Sequence, residues 1–251
     1  MCLQRKLDAA EVTGPGRHRT SDLTLHISRR ALRHVLVGIV LALAVASFLA
    51  QLLKYPLDMP RAYGVVPLFD GDGEANVPTF YSSLALVACA ALLYVRAAAA
   101  RQAAERHVRH WMLLATIFFL GALDETVQFH ELANEHIAAA SGISESALPW
   151  VAPAALLVLA LQVAYRGFVR DLPEPVRRRA ILGGALLVSG ALGVEVLEAA
   201  SASLEGETGD FVDGLVSTVQ ELLEMLGVVF ILDALVLALS LRGGSIRLRF
   251  R

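Results

Sequence analysis

Carboxylates recur inside three apolar stretches of this chain: LDETVQFHE (123–131), GVEVLEA (193–199) and VQELLEMLG (219–227). Each lies within or beside a hydrophobic run long enough to cross a bilayer. An ionisable group there is costly and ordinarily faces a bundle interior or a watery cavity. Spacing groups these acids further. Asp124, Gln128, Glu131 and Glu135 fall at i, i+4, i+7 and i+11, one stripe of a continuous helix. Glu195 with Glu198, and Glu221 with Glu224, are i, i+3 pairs on single faces.

Several carboxylates near an imidazole form the donor set of a hard or borderline divalent cation. Carboxylate oxygens suit Ca or Mn, and an added imidazole suits Zn or Fe. The candidate metal ligands are therefore Asp124, Glu125, His130, Glu131, Glu195, Glu198, Glu221 and Glu224. The cofactor expected is a divalent metal: Zn, Mn, Fe or Ca. In an enzyme built on that site, Glu131 or Glu224 is the candidate general base beside a metal-bound water. His130 stands about 120° round the helix from Asp124, which turns it towards a neighbouring helix. The Glu-x-x-Glu pairs differ from the Glu-x-x-His pairs of di-iron bundles. HELANEH is not a zincin motif, because its second His comes six residues after the first. DGDGE (70–74) opens like a calcium loop, but Ala75 stands where the turn needs Gly and Tyr81 where Glu is needed. It reads as an acidic turn.

The elements that must hold these groups are membrane helices. The chain is 56% hydrophobic and 18% charged with a mean hydropathy of +0.57, against about 45–50% and about 25% for soluble domains. Segments 35–53, 78–95, 111–131, 149–165, 180–200 and 214–241 approach or exceed the ~17–25 residues that span a bilayer. The fold class expected is all-α, a polytopic bundle of six transmembrane helices. It occupies 34–242, between a polar, mobile tail (1–33) and a basic tail (243–251). In the first span, VLVGIVLALAVASFLAQLL, Ser47 and Gln51 are the only polar groups. Gly183, Gly184, Gly190 and Gly193 mark close helix packing. The opening residues lack the apolar core of a signal peptide, and Cys2 and Cys89 provide no disulfide framework.

Charge orients the bundle. Of 22 Lys and Arg residues, 20 fall in 1–33, the 96–109 and 166–179 loops and the tail from Arg242, and alternate loops hold only Lys54 and Arg61. The positive-inside rule then puts both termini in the cytoplasm, with aromatic residues such as Trp111 and Trp150 near the two interfaces. On that topology 17 of the 24 Asp and Glu residues lie outwards beside those two basic residues. The outer acids must be solvated, protonated or bound to cations. At ~1.5 Å of rise per residue, Asp124, Glu195, Glu224, Glu198, Glu221 and Glu131 lie roughly 20–30 Å above the cytoplasmic edge, in one layer of the outer leaflet. Asp233 sits apart, roughly 12 Å from that edge, placed to bond Ser189 or to continue a proton path. Arg outnumbers Lys 20 to 2, a bias of high-GC bacterial genomes. The localisation expected is the bacterial inner membrane, multi-pass.

The pairing of a DE…HE helix with an E-LLEMLG helix resembles an uncharacterised group of bacterial multi-pass membrane proteins. The likeness covers helices three, five and six, about a third of the chain. It implies a shared acidic site and carries no activity. Intramembrane metal hydrolases of the alkaline-ceramidase type use three His, an Asp and a Ser. This chain has no His-x-x-x-His and departs from them.

Three classes of function follow. One is a metal-binding membrane protein, extending to a metal-dependent enzyme on a lipid or envelope substrate. Another is a proton- or cation-coupled transporter, which six helices without an inverted repeat would serve as a homo-oligomer. The third is a non-catalytic assembly or sensor subunit whose acidic face docks a basic partner. The lipid bilayer is the expected partner in each, and no nucleic acid is expected.

Overall fold

The computed structural model describes residues 28–71, 75–142, 150–194 and 207–241, the side chains of 207–209 excepted. Within them every regular element is helical. Helix α1 runs Arg29–Lys54, and a one-turn helix, α2, covers Val66–Phe69. Then follow α3 (Val77–Gln102), α4 (Val108–Val127), α5 (Phe129–Ser141), α6 (Val151–Asp171), α7 (Glu174–Val188) and α8 (Glu207–Ser240). A single π-helical turn, Ser189–Val194, continues α7.

Five helices are long and apolar enough to cross a membrane: α1, α3, α4, α6 and the Asp210–Ser240 part of α8. Their outer faces carry the exposed apolar side chains that lipid would cover. Leu156, Leu157 and Val163 on α6 and Val35 and Val45 on α1 are each more than half exposed. The segment expected as a further span, 180–200, comprises the end of α7 and the π turn up to Val194. Its remainder, with Glu195 and Glu198, lies outside the described residues.

Helix α8 is the axis of the bundle, packed along α7, α1 and α3. Met225, Val228 and Val229 are each at most 2% exposed, and Val40 of α1 and Cys89 and Leu93 of α3 close round them. On α1, the two polar residues in the span, Ser47 and Gln51, are both fully buried and so face inwards. The α7–α8 seam is built on glycine. A Cβ on Gly183 would lie 2.7 Å from the Gly227 carbonyl oxygen, and one on Gly227 would lie 2.6 Å from the Leu187 nitrogen. Gly190 meets α8 in the same way, whereas Gly184 and Gly193 have nothing within 4 Å.

Backbone atoms cannot swing aside as a side chain can. Gly183→Ala and Gly227→Ala are each expected to cost about 1–3 kcal/mol, the range for overpacking. Thermal melting in detergent checks this, and Gly184→Ala should melt within about 0.5 kcal/mol of the parent.

Two sequence-based expectations are corrected. The stripe 124–128–131–135 does not exist, because the helix breaks inside it. Gln128 adopts a left-handed conformation (φ 62°, ψ 44°), ending α4 and starting α5 on a new axis. Asp124 fixes that break, since its Oδ1 accepts the backbone N–H of His130 at 3.0 Å and so caps α5. The second correction is Asp233. In place of a bond to Ser189, its carboxylate receives Arg29 Nη1 at 3.0 Å, Arg179 Nε at 2.8 Å and Arg33 Nη1 at 3.4 Å.

Candidate functional site

Two ends of the bundle differ sharply in charge. At one, Arg29, Arg33 and Arg179 surround Asp233. At the other, the carboxy ends of α1 and α4, the start of α3 and the first half of α8 gather a cluster of polar side chains. Local sequence lays its base. Asn76 precedes Val77-Pro78 and caps α3, its Oδ1 accepting the Thr79 N–H at 2.8 Å. The same amide donates to the Asp70 carbonyl at 2.7 Å and hydrogen-bonds the Glu221 carboxylate. One buried residue thereby ties Asp70 to α3 and α8.

Asp70 is held by α1. Its Oδ2 pairs with Lys54 Nζ at 2.7 Å, and its Oδ1 accepts from Gln51 Nε2 at 2.9 Å. The other end of the Gln51 amide abuts Gly214 so closely that a Cβ there would sit 2.4 Å from Oε1. Gly71 plays the same part for Glu221, whose Oε2 would be 3.3 Å from a Gly71 Cβ, with Thr218 Oγ1 at 3.5 Å. These glycines let the loop and α8 close over the acids.

At the centre stands Glu221. It is within coulombic range of Glu125 on α4, Glu224 on its own helix and Asp70 in the loop. Its Oε2 is buried and makes no hydrogen bond among the described residues. Gln51 Oε1 and the Tyr81 hydroxyl are in the same position. Glu224 lies one turn along α8, its Cγ pressed against Gly190 of the π turn. Single π turns inside α-helices often accompany functional sites, because the extra residue bends the helix and re-aims its neighbours.

Of the expected ligands, Glu125 and Glu224 each lie within coulombic range of Glu221. Asp124 and His130 form an adjoining pair rather than diverging. Asp124 Oδ2 lies 3.0 Å from His130 Nδ1, and the imidazole leans on the Trp150 ring at 5.5 Å. Both side chains lie within coulombic range of Glu125. Glu131 is exposed on α5. Glu195 and Glu198 fall outside the described residues. Among the described residues no three His, Cys, Asp or Glu side chains converge on one point as a metal cage would require.

Asp70, Asn76 and Gln51 were not among the sequence candidates. Their signals are visible in retrospect: a lone amide four residues from a lone serine in an otherwise apolar span, an Asn just before a Val-Pro helix start, and the acidic turn itself. Chemically the pocket offers carboxylate, amide and hydroxyl oxygens and one ammonium. Such donors bind protons or hard cations, and none of them is an activated nucleophile.

The profile of a family described as a domain of unknown function (DUF8692) matches residues 35–238. No curated protein and no solved structure matches the chain.

Proposed function

Because the chain belongs to this family, whose description assigns no activity, we propose from the pocket alone that it is an integral membrane protein that binds a cation at its acidic end. The observation that carries this reading is Glu221 Oε2: a buried carboxylate oxygen with no hydrogen-bond partner among the described residues, within coulombic range of carboxylates from two other elements, while Lys54 engages Asp70. No Lys or Arg occurs between Arg109 and Arg166, or between Arg179 and Arg242. Neither stretch therefore supplies a Lys or Arg to the acids of α4 and α8. Like charges gathered in a low-dielectric site call for a cation.

The occupant is exchangeable rather than structural. Closing an oxygen cage round a divalent ion requires the carboxylates to move together, since no three of the described side chains are already placed for it. Oxygen donors favour Mn or Ca over Zn. This fits an ion-coupled membrane function, in which the cation enters and leaves, at least as well as hydrolysis of a lipid or envelope substrate. Elemental analysis of the detergent-purified protein, followed by calorimetric titration with Mn, Ca and Zn, tests it. A 1:1 isotherm with an oxygen-preferring metal is expected, and absence of heat and of co-purified metal would remove the divalent-cation reading and leave the proton.

The acidic end faces outwards from a bacterial inner membrane in this proposal, with the basic end and both termini in the cytoplasm. What supports it is the distribution of Lys and Arg. Reporter fusions after Arg101 and Arg177 are expected to read cytoplasmic, and one within 54–76 external. A reversed reporter at any of the three would overturn the orientation.

A further inference from the structure

At the basic end, away from the acidic pocket, α3, α4, α6, α8 and the turn from α6 into α7 enclose a cavity of about 400 Å³. That is the size of a small-ligand site. Its wall combines Arg96, Arg106 and His107 with Trp111, Phe168 and Asp171, over an apolar rim that includes Leu172 and Leu241.

Arg96 is the unusual member. It is only 4% exposed, inside a span. Its guanidinium lies over the Trp111 ring, 4.8 Å from the centroid, and Nη2 donates to Glu105 Oε2 at 2.7 Å. Nε and Nη1 are buried with no hydrogen-bond partner among the described residues. A guanidinium does not shed its charge in proteins, so these N–H groups stay polar and costly until something accepts from them. Arg96 also lines the cavity, and a small shift of its side chain would turn these N–H groups towards an acceptor seated there.

The neighbouring charges are arranged to admit an anion. His107 Nε2 engages Asp171 at 2.7 Å, and Arg106, 85% exposed, reaches the same carboxylate at 3.8 Å. Two of the wall's acids, Glu105 and Asp171, are thus each engaged by a basic side chain. Arg96 lies six residues before the end of α3, roughly 9 Å inside it at ~1.5 Å per residue, the depth at which headgroup phosphates meet acyl chains. Arginine presents several fixed donors to phosphate oxygens and stacks on aromatic rings at the same time. The aromatic and leucine rim would accept the first methylenes of a chain.

We propose that this cavity binds a phosphate group through Arg96 and Arg106, supplied by a phospholipid of the adjoining leaflet. The inference is independent of the acidic pocket and of which face is cytoplasmic. Basic pockets between membrane helices bind headgroups by the same physics.

The test uses the full chain in detergent. Thermal melting and native mass spectrometry are followed with phosphatidylglycerol, with diacylglycerol as the phosphate-free lipid, and with inorganic phosphate at matched ionic strength. Phosphatidylglycerol is expected to raise the melting temperature and to remain bound at one molecule per chain, with diacylglycerol doing neither. Arg106→Gln, at an exposed position that leaves the fold intact, is expected to weaken binding about tenfold, and Arg96→Gln to abolish it. Equal protection by inorganic phosphate would support the phosphate site and assign its ligand to solution instead of the bilayer. Protection by diacylglycerol equal to that by phosphatidylglycerol, or a phosphatidylglycerol affinity unchanged in Arg106→Gln, would overturn the proposal. The second outcome can be read even if Arg96→Gln fails to fold.

Discussion

Asp233→Ala is expected to destabilise the bundle by about 3–5 kcal/mol, the cost of removing one partner from a buried ion pair. The carboxylate is 2% exposed, and the three guanidiniums on it are 26–29% exposed. They arrive from two other helices, Arg29 and Arg33 from α1 and Arg179 from α7. Alanine would leave three cations facing one another at the edge of an apolar core, with Ala234 and Ala238 buried nearby. Water reaches the guanidiniums in part, which limits the loss.

Asp233→Asn keeps the acceptor oxygen without the charge and should fall between alanine and the parent. Arg33→Gln removes the longest of the contacts, 3.4 Å, leaves two cations in place and should cost about 1 kcal/mol. Thermal melting of the four proteins in one detergent gives the order. Asp233→Ala melting within about 0.5 kcal/mol of the parent would mean that the three-arginine cluster contributes nothing to holding α1 and α7 on α8.

Glu221→Gln should have the opposite sign without metal and a larger consequence with it. The substitution keeps the shape of the side chain and removes one of the charges that Glu125, Glu224 and Asp70 feel. Apo protein is therefore expected to melt higher than the parent, because like-charge repulsion in the pocket falls. Metal reverses the comparison. A cation at about 100 times its Kd stabilises the parent by about 2.7 kcal/mol, and the Gln variant should lose most of that gain.

The pH dependence has a fixed sign. Ligating carboxylates must be deprotonated, so protons compete with metal, and the parent's metal-dependent gain should grow from pH 5 to pH 8. In the variant it should stay flat. A parent that gains nothing from Mn, Ca or Zn at any pH, beside a variant that still melts higher without metal, would make the acids proton carriers and put the transporter reading first.

Much of the architecture was legible in the residue string because lipid imposes a simple rule. A helix that must satisfy its own backbone hydrogen bonds and bury its surface in hydrocarbon announces itself by length and hydropathy. Five such helices are present, and Glu125 of α4 lies within coulombic range of Glu221 on α8. Close packing at Gly183 and Gly190 was legible for a related reason, since small residues mark where helix backbones approach in a membrane.

Only the tertiary structure decided what each polar group does. Asp124 and Glu125 are adjacent in sequence, yet the left-handed Gln128 turns the first into the cap of α5 and leaves the second facing Glu221. Helical periodicity could not foresee this, because a single residue at positive φ resets the phase of everything after it. Gln51 and Asn76 complete the site through their amides, the first bonded to Asp70 and the second to both Asp70 and Glu221. Asp233 looked like an isolated charge because its arginines lie 54 to 204 residues away. Composition and periodicity thus determined an all-helical chain whose long apolar helices suit a membrane. Which acid caps a helix, which clamps it and which faces a cavity followed from long-range packing, the one interaction a local pattern does not encode.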